Sequence, residues 1–151
     1  MLQALEEAEK AREIGEVPIG AVVVDPQGKV IGRGHNRTIV DVDPAAHAEV
    51  IAVRQAAAAL GNHRLVGCSL FVTIEPCLMC LGLLIQARVH ELWFGAGDPR
   101  VGAVDGVFSR LEEAGGFNHR FQVRRGLLAD QCRELIQNFF RQRRREAAGG
   151  A

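Results

Sequence analysis

Tyrosine is absent from this chain, and tryptophan occurs once, as Trp93. Any aromatic stacking surface must therefore come from Phe, His, Trp93 or the flat guanidinium of Arg. Net charge is absent too, because 18 Lys and Arg balance 18 Asp and Glu. That excludes a strongly basic nucleic-acid-binding protein, though not a local basic patch. No apolar run is long enough to cross a bilayer. The stretch Met1 to Lys10 is acidic and helix-like, so a secretory signal is not expected. Cysteines are few: Cys68, Cys77, Cys80 and Cys132. A chain of 151 residues with 48% hydrophobic content can build its core without disulfide staples. The close pair Cys77/Cys80 then fits a reducing compartment and a metal or redox site. The expectation is one domain over residues 1–151, located in the cytoplasm.

The chain alternates helical and strand patterns. Leu2, Leu5, Ala8, Arg12 and Ile14 give a helical period that ends at Gly15. Ile19 to Val24 is β-branched and is stopped by the turn residues Asp25-Pro26-Gln27-Gly28, with Lys29 to Gly34 as hairpin partner. Ala48 to Leu60 is an Ala-rich helix stopped by Gly61-Asn62. Strands are expected at Ser69–Ile74, Val89–Phe94 and Phe121–Arg125, and helices at Cys77–Ala87, Val107–Ala114 and Asp130–Arg145. Gly95 to Gly106 reads as a long loop, and Ala147 to Ala151 as a frayed end. The order α-β-β-α-β-α-β-α-β-α implies an α/β layered fold with a five-stranded mixed sheet. It opens with an antiparallel hairpin and has parallel pairing among the later strands.

Two segments carry chemistry: His47-Ala48-Glu49 and Pro76-Cys77-Leu78-Met79-Cys80. Zinc favours imidazole nitrogen and thiolate sulfur in a tetrahedral shell. Cysteines three apart at a helix start project to one side, where free N–H groups and the helix dipole favour thiolate. Pro76 suits a helix start, where no amide hydrogen is needed. The metal ligands expected are His47, Cys77 and Cys80. Three protein ligands leave a fourth position for water, the mark of a catalytic rather than a structural zinc. Zinc lowers the pKa of such a water from about 15.7 towards roughly 7. Glu49 is placed to take the water's proton and to hand it on. Alone, a C-x-x-C or an H-x-E is a weak signal, but together they are specific. Cys68 and Cys132 fall in apolar contexts and read as packed thiols.

These residues form the signature of zinc nucleobase deaminases. Around it, the chain closely resembles the bacterial tRNA-specific adenosine deaminases. The matching stretches include Gly15-Glu16-Val17-Pro18-Ile19-Gly20-Ala21, His35-Asn36, Pro44 to Glu49, Leu70 to Cys77, Phe94-Gly95-Ala96, Phe117 to Arg120 and Phe139-Phe140-Arg141. The resemblance implies a three-layer α/β/α cytidine deaminase-like fold, one Zn2+ per subunit and a homodimer. It also implies hydrolysis of the wobble adenosine of a tRNA anticodon to inosine, typically in the arginine tRNA with anticodon ACG. In that reaction zinc-activated hydroxide attacks adenine C6, and Glu49 is the proton shuttle. By the same resemblance Asn36 hydrogen-bonds the flipped base and Asp98 contacts the substrate backbone. Phe139, Phe140 and Arg143 lie on the last helix, where it meets the anticodon loop.

Each substrate assignment has a plainer alternative. Asn36 also reads as a turn residue after a hairpin, and Asp98 before Pro99 as a turn. Phe139 and Phe140 are adjacent and cannot share a helix face, so one belongs to the core. Arg141, Arg143, Arg144 and Arg145 form a cationic patch or a solvated helix end. Three departures from the family stand out: Leu81 after the second cysteine, His63 in place of an aromatic residue, and Asp105-Gly106 in place of Gly-Ser. Asp105 is expected to bring a negative charge to an RNA-facing loop. The competing functions are a free-base or nucleoside deaminase acting on guanine or cytosine, and a non-catalytic RNA-binding subunit. The first has no need of the Phe-Phe-Arg helix, and the second could do without Glu49.

Overall fold

The computed structural model describes residues 1–149. Five strands form one sheet in the order β2-β1-β3-β4-β5. They are β1 (Gly20–Val24), β2 (Val30–His35), β3 (Ser69–Ile74), β4 (Glu91–Ala96) and β5 (Gln122–Arg125). β1 pairs antiparallel with both β2 and β3, whereas β3, β4 and β5 run parallel. The mixed five-stranded sheet expected from the sequence is therefore present. Five helices accompany it: α1 (Leu2–Glu13), α2 (Ala48–Leu60), α3 (Leu78–Gln86), α4 (Ser109–Glu113) and α5 (Ala129–Gly149).

Side-chain alternation along the strands decides which helix covers which face. A Cβ on Gly20 would strike the backbone of α1 at Ala4 and Ala8, and one on Gly95 would strike Cys132 of α5. Both glycines point to the face shared by α1 and α5. Gly32 and Gly34 point the other way, where a Cβ would strike Ala52 O and Ala48 O of α2. Ala48, Ala52 and Ala56 are fully buried along that contact. An alanine stripe on glycines lets α2 lie directly on β2, and this seam fixes the height of the helix that begins beside His47. The main core lies on the same side of the sheet, between Ala21, Val23, Leu70, Val72, Leu92 and Phe94 and the apolar sides of α2 and α3.

Several boundaries differ from the sequence expectation for identifiable reasons. β4 lies two residues later than expected, because Ile74 pairs with Ala96 and Glu75 N–H donates to Ala96 O at 2.8 Å. Val89 and His90 are occupied elsewhere, closing α3 on Leu84 O and meeting Cys68 O. The expected helix Val107–Ala114 begins earlier, as a π-helical turn over Val104–Phe108 that leads into α4. α5 remains helical through Ala147–Gly149, where fraying was expected; residues 150–151 lie outside the described residues. Among the described residues no helix is long and apolar enough to cross a membrane.

Candidate active site

Two helix starts meet at the carboxyl edge of β3. His47 caps α2 and Cys77 caps α3, each in extended backbone. His47 Nδ1 lies 3.7 Å from Cys77 Sγ and 3.6 Å from Cys80 Sγ. One ligand atom from each of the three residues falls within 4.8 Å of the others. With metal–nitrogen and metal–sulfur bonds of about 2.0 and 2.3 Å, the nitrogen–sulfur edge of a zinc tetrahedron is roughly 3.6 Å. The donor set and its spacing thus fit a zinc site. Hydrogen bonds from Cys80 and then His47 pull the Cys77 thiol down to about 3. Cys77, burial and Glu49 push the Cys80 thiol well above its ordinary range. The hydrogen bond to Cys77 raises His47. A second thiolate beside Cys77 and Glu49 needs a cation, which is what a metal ion supplies.

Glu49 follows in the first turn of α2 and is 4% exposed. Burial raises its pKa, so its carboxyl holds a proton more readily than a surface glutamate does. Asn36, 7% exposed, lies at the end of β2. Its side-chain oxygen accepts the Ala48 N–H at 3.0 Å, between His47 and Glu49 in sequence. The oxygen therefore fixes the start of α2, and its amide N–H groups have no protein acceptor among the described residues. Asn36 is more than the turn former its position suggested.

Of the remaining predicted residues, Asp98 and Phe140 line a second feature, and Phe139 and Arg143 do not. A groove of about 630 Å³ runs between the loop after β4 and the outer part of α5. Asp98, Arg100, Phe140, Arg141 and Arg144 line it over an apolar floor that includes Ile74 and Ile136. It contains none of the residues His47, Glu49, Cys77 and Cys80; the loop 97–103 stands between the two. Asp98 does form a turn, its carboxylate accepting N–H groups from Arg100 and Val101. The two phenylalanines divide as expected: Phe139 is 8% exposed and Phe140 is 41% exposed. Arg143 lies outside the groove. Its guanidinium stacks 5.5 Å from the Phe139 ring centre and donates to Gly15 O.

Three buried carboxylates, Glu7, Glu16 and Glu75, went unassigned in the sequence. Glu16 is fully buried and accepts N–H bonds from Ile39 and Val40, fixing the loop that leads to His47. Glu75, 8% exposed, accepts the N–H groups of Asp98, Val104 and Asp105. For Glu16 and Glu75 the signal available was an acidic residue abutting a β-branched strand. Asp105 corrects an expectation. Its carboxylate pairs with Arg125 at 2.6 and 2.8 Å, so it is not a free negative charge. Leu81 is buried within the main core, and His63 is exposed.

One imidazole, two thiols and a buried carboxyl at a sheet edge define a deaminase of the nucleobase type. The family profile described as MafB19-like deaminase matches residues 1–144. A tRNA-specific adenosine deaminase of Haemophilus influenzae is 44% identical over 146 residues, covering 97% of this chain and 84% of its own. That of Bacillus subtilis is 42% identical over 146 residues, covering 97% and 89%. A solved tRNA:A34 deaminase, studied for A-to-I editing at the wobble position of transfer RNA, superposes with a TM-score of 0.84 at 44% identity. It covers 89% of this chain and 96% of that one. A guanine deaminase from Nitrosomonas europaea gives 0.75 at 29% identity, over 90% and 80% of the two chains. The chain belongs to the family of tRNA-specific adenosine deaminases.

Proposed function

We propose that the protein converts the wobble adenosine of a tRNA anticodon, that of the arginine tRNA with anticodon ACG, to inosine. The observation that carries this reading is the pairing of the His47/Cys77/Cys80 group and buried Glu49 with an arginine-lined groove on the same sheet edge. His47, Cys77 and Cys80 would hold one zinc ion, whose chemistry is Lewis acidity strong enough to ionise water near neutral pH. Glu49 accepts a proton from water as the water oxygen bonds to C6, and returns it to the departing nitrogen, so that the C6–N bond breaks and ammonia leaves. Its buried position keeps that proton from bulk water. Asn36 offers its free amide N–H groups to the base edge while its oxygen holds α2 in place. An adenine must leave the anticodon stack to reach this site.

In this reading Arg100, Arg141 and Arg144 take phosphates, Phe140 stacks on a nucleotide and Asp98 shapes the loop that meets the backbone. Phe139 and Arg143 act indirectly, by holding α5 on the body. A homodimer in the cytoplasm completes the reading, supported by the exposed apolar Leu78 and Met79 beside the metal group. The test is to incubate zinc-loaded protein with an anticodon stem-loop carrying wobble adenosine, and to map inosine. Turnover of guanine with no inosine in the RNA would replace this reading with the free-base alternative.

A further inference from the structure

The segment from Gly97 to Asp105 borders both halves of the site, and one side chain holds it. Glu75 Oε2 accepts the Asp98 N–H at 3.0 Å, and Oε1 accepts those of Val104 at 2.9 Å and Asp105 at 3.2 Å. The latter two open the π-helical turn, whose first N–H groups have no partner within the turn itself. Glu75 is itself held, because its own N–H is bonded to Ala96 O at the end of β4. Two residues further on, Cys77 bridges to Gly102, and Pro76 O accepts the Ala103 N–H at 3.0 Å. One flank of the loop, from Gly97 to Arg100, lines the groove. The other flank is bonded to the chain at the metal ligand. Outside, Arg125 pairs with Asp105 and lies 5.8 Å from the Phe94 ring centre.

We infer that Glu75 is a positioning residue for the substrate, setting the groove wall Asp98–Arg100 in register with the metal ligands. This rests on the reading that the groove takes RNA. The carboxylate suits the task because all three of its partners are donors, and only an acceptor on both oxygens satisfies them. A glutamine must turn its NH2 toward either Asp98 or the Val104/Asp105 pair, so in each orientation a buried N–H loses its partner. Gly102 gives an independent handle. A Cβ there would strike the Glu75 carboxylate and Asp98 O, pressing the same wall from the opposite side.

The experiment compares the parent with Glu75→Gln and Gly102→Ala as zinc-loaded full-length proteins. It measures zinc content, amide exchange in the 97–105 segment, stem-loop binding by fluorescence anisotropy, and steady-state deamination. Both variants should hold the parental amount of zinc. In both, the Asp98, Val104 and Asp105 amides should exchange at least about tenfold faster. KM and the dissociation constant for the stem-loop should rise about tenfold, with kcat within about twofold of the parent. A zinc-loaded variant with parental exchange or parental binding would overturn the inference, as would a fall in kcat at unchanged KM. If Glu75→Gln does not fold, Gly102→Ala decides alone. If the parent makes no inosine, the functional reading fails, while exchange and binding still decide the role of Glu75.

Discussion

Glu49, Glu75 and Glu7 are three buried carboxylates with three different tasks, and their surroundings separate them. Glu49 faces His47, Cys77 and Cys80, and burial raises its pKa. Glu49→Gln should lower kcat by about 10²- to 10⁴-fold with zinc still bound, which metal analysis beside a deamination assay will check. Glu7 lies between α1 and β2, with Lys10 at 2.7 Å and His35 at 3.0 Å. Burial alone would push its carboxyl up, but bonds from Lys10 and His35 outweigh that and hold it below the ordinary value. A depressed folded-state pKa contributes stability above the unfolded value, near 4.3, and loses it as pH falls through the folded one. Glu7→Gln should therefore unfold at lower denaturant than the parent at pH 7, with the gap closing on acidification below about pH 4. A gap that widened on acidification would contradict the pairing. The His47, Glu49, Cys77 and Cys80 group was legible because H-x-E and C-x-x-C together make a signature even though His47 and Cys77 lie 30 residues apart. Glu75 was not, because its partners are backbone N–H groups, which no residue type marks in a sequence.

α5 shows how an element divides its face between holding and binding. Phe139 is buried against the body and the exposed Arg143 reaches Gly15 O, while Phe140, Arg141 and Arg144 border the groove. Arg141→Ala with Arg144→Ala should weaken stem-loop binding and reduce its salt dependence by up to about two in slope. Arg143→Ala should instead leave that slope unchanged and lower the melting temperature. Binding titrations at several salt concentrations separate the two. The run of arginines was visible in the sequence, but their division was not, since helix phase relative to a packed neighbour is a tertiary property. The loop after β2 offers a contrast. Val42 is exposed at φ 50°, where a β-branched residue is strained. Val42→Asn should raise stability by about 1 kcal/mol in a denaturant titration.

For the molecule as a whole, a zinc ion held as proposed by His47, Cys77 and Cys80 would tie α2 to α3 across the edge of β3. Chelation should lower the melting temperature by at least about 5 °C and abolish turnover, with zinc restoring both. The order of elements along the chain and the mixed character of the sheet were legible through β-branched runs and turn residues, whereas the lateral order of the strands was not. The π-helical turn was hidden, because its partner is a carboxylate from β3's far end rather than its own sequence. The seam of Ala48, Ala52 and Ala56 on Gly32 and Gly34 has a consequence for redesign. It has no slack, so even one added methyl at those glycines would lift Glu49 and His47 together. An engineer seeking a different base or a broader range of RNAs must leave that seam untouched and vary the rim. There the loop after β4 and the outer turns of α5 can change length and charge without disturbing the reacting centre.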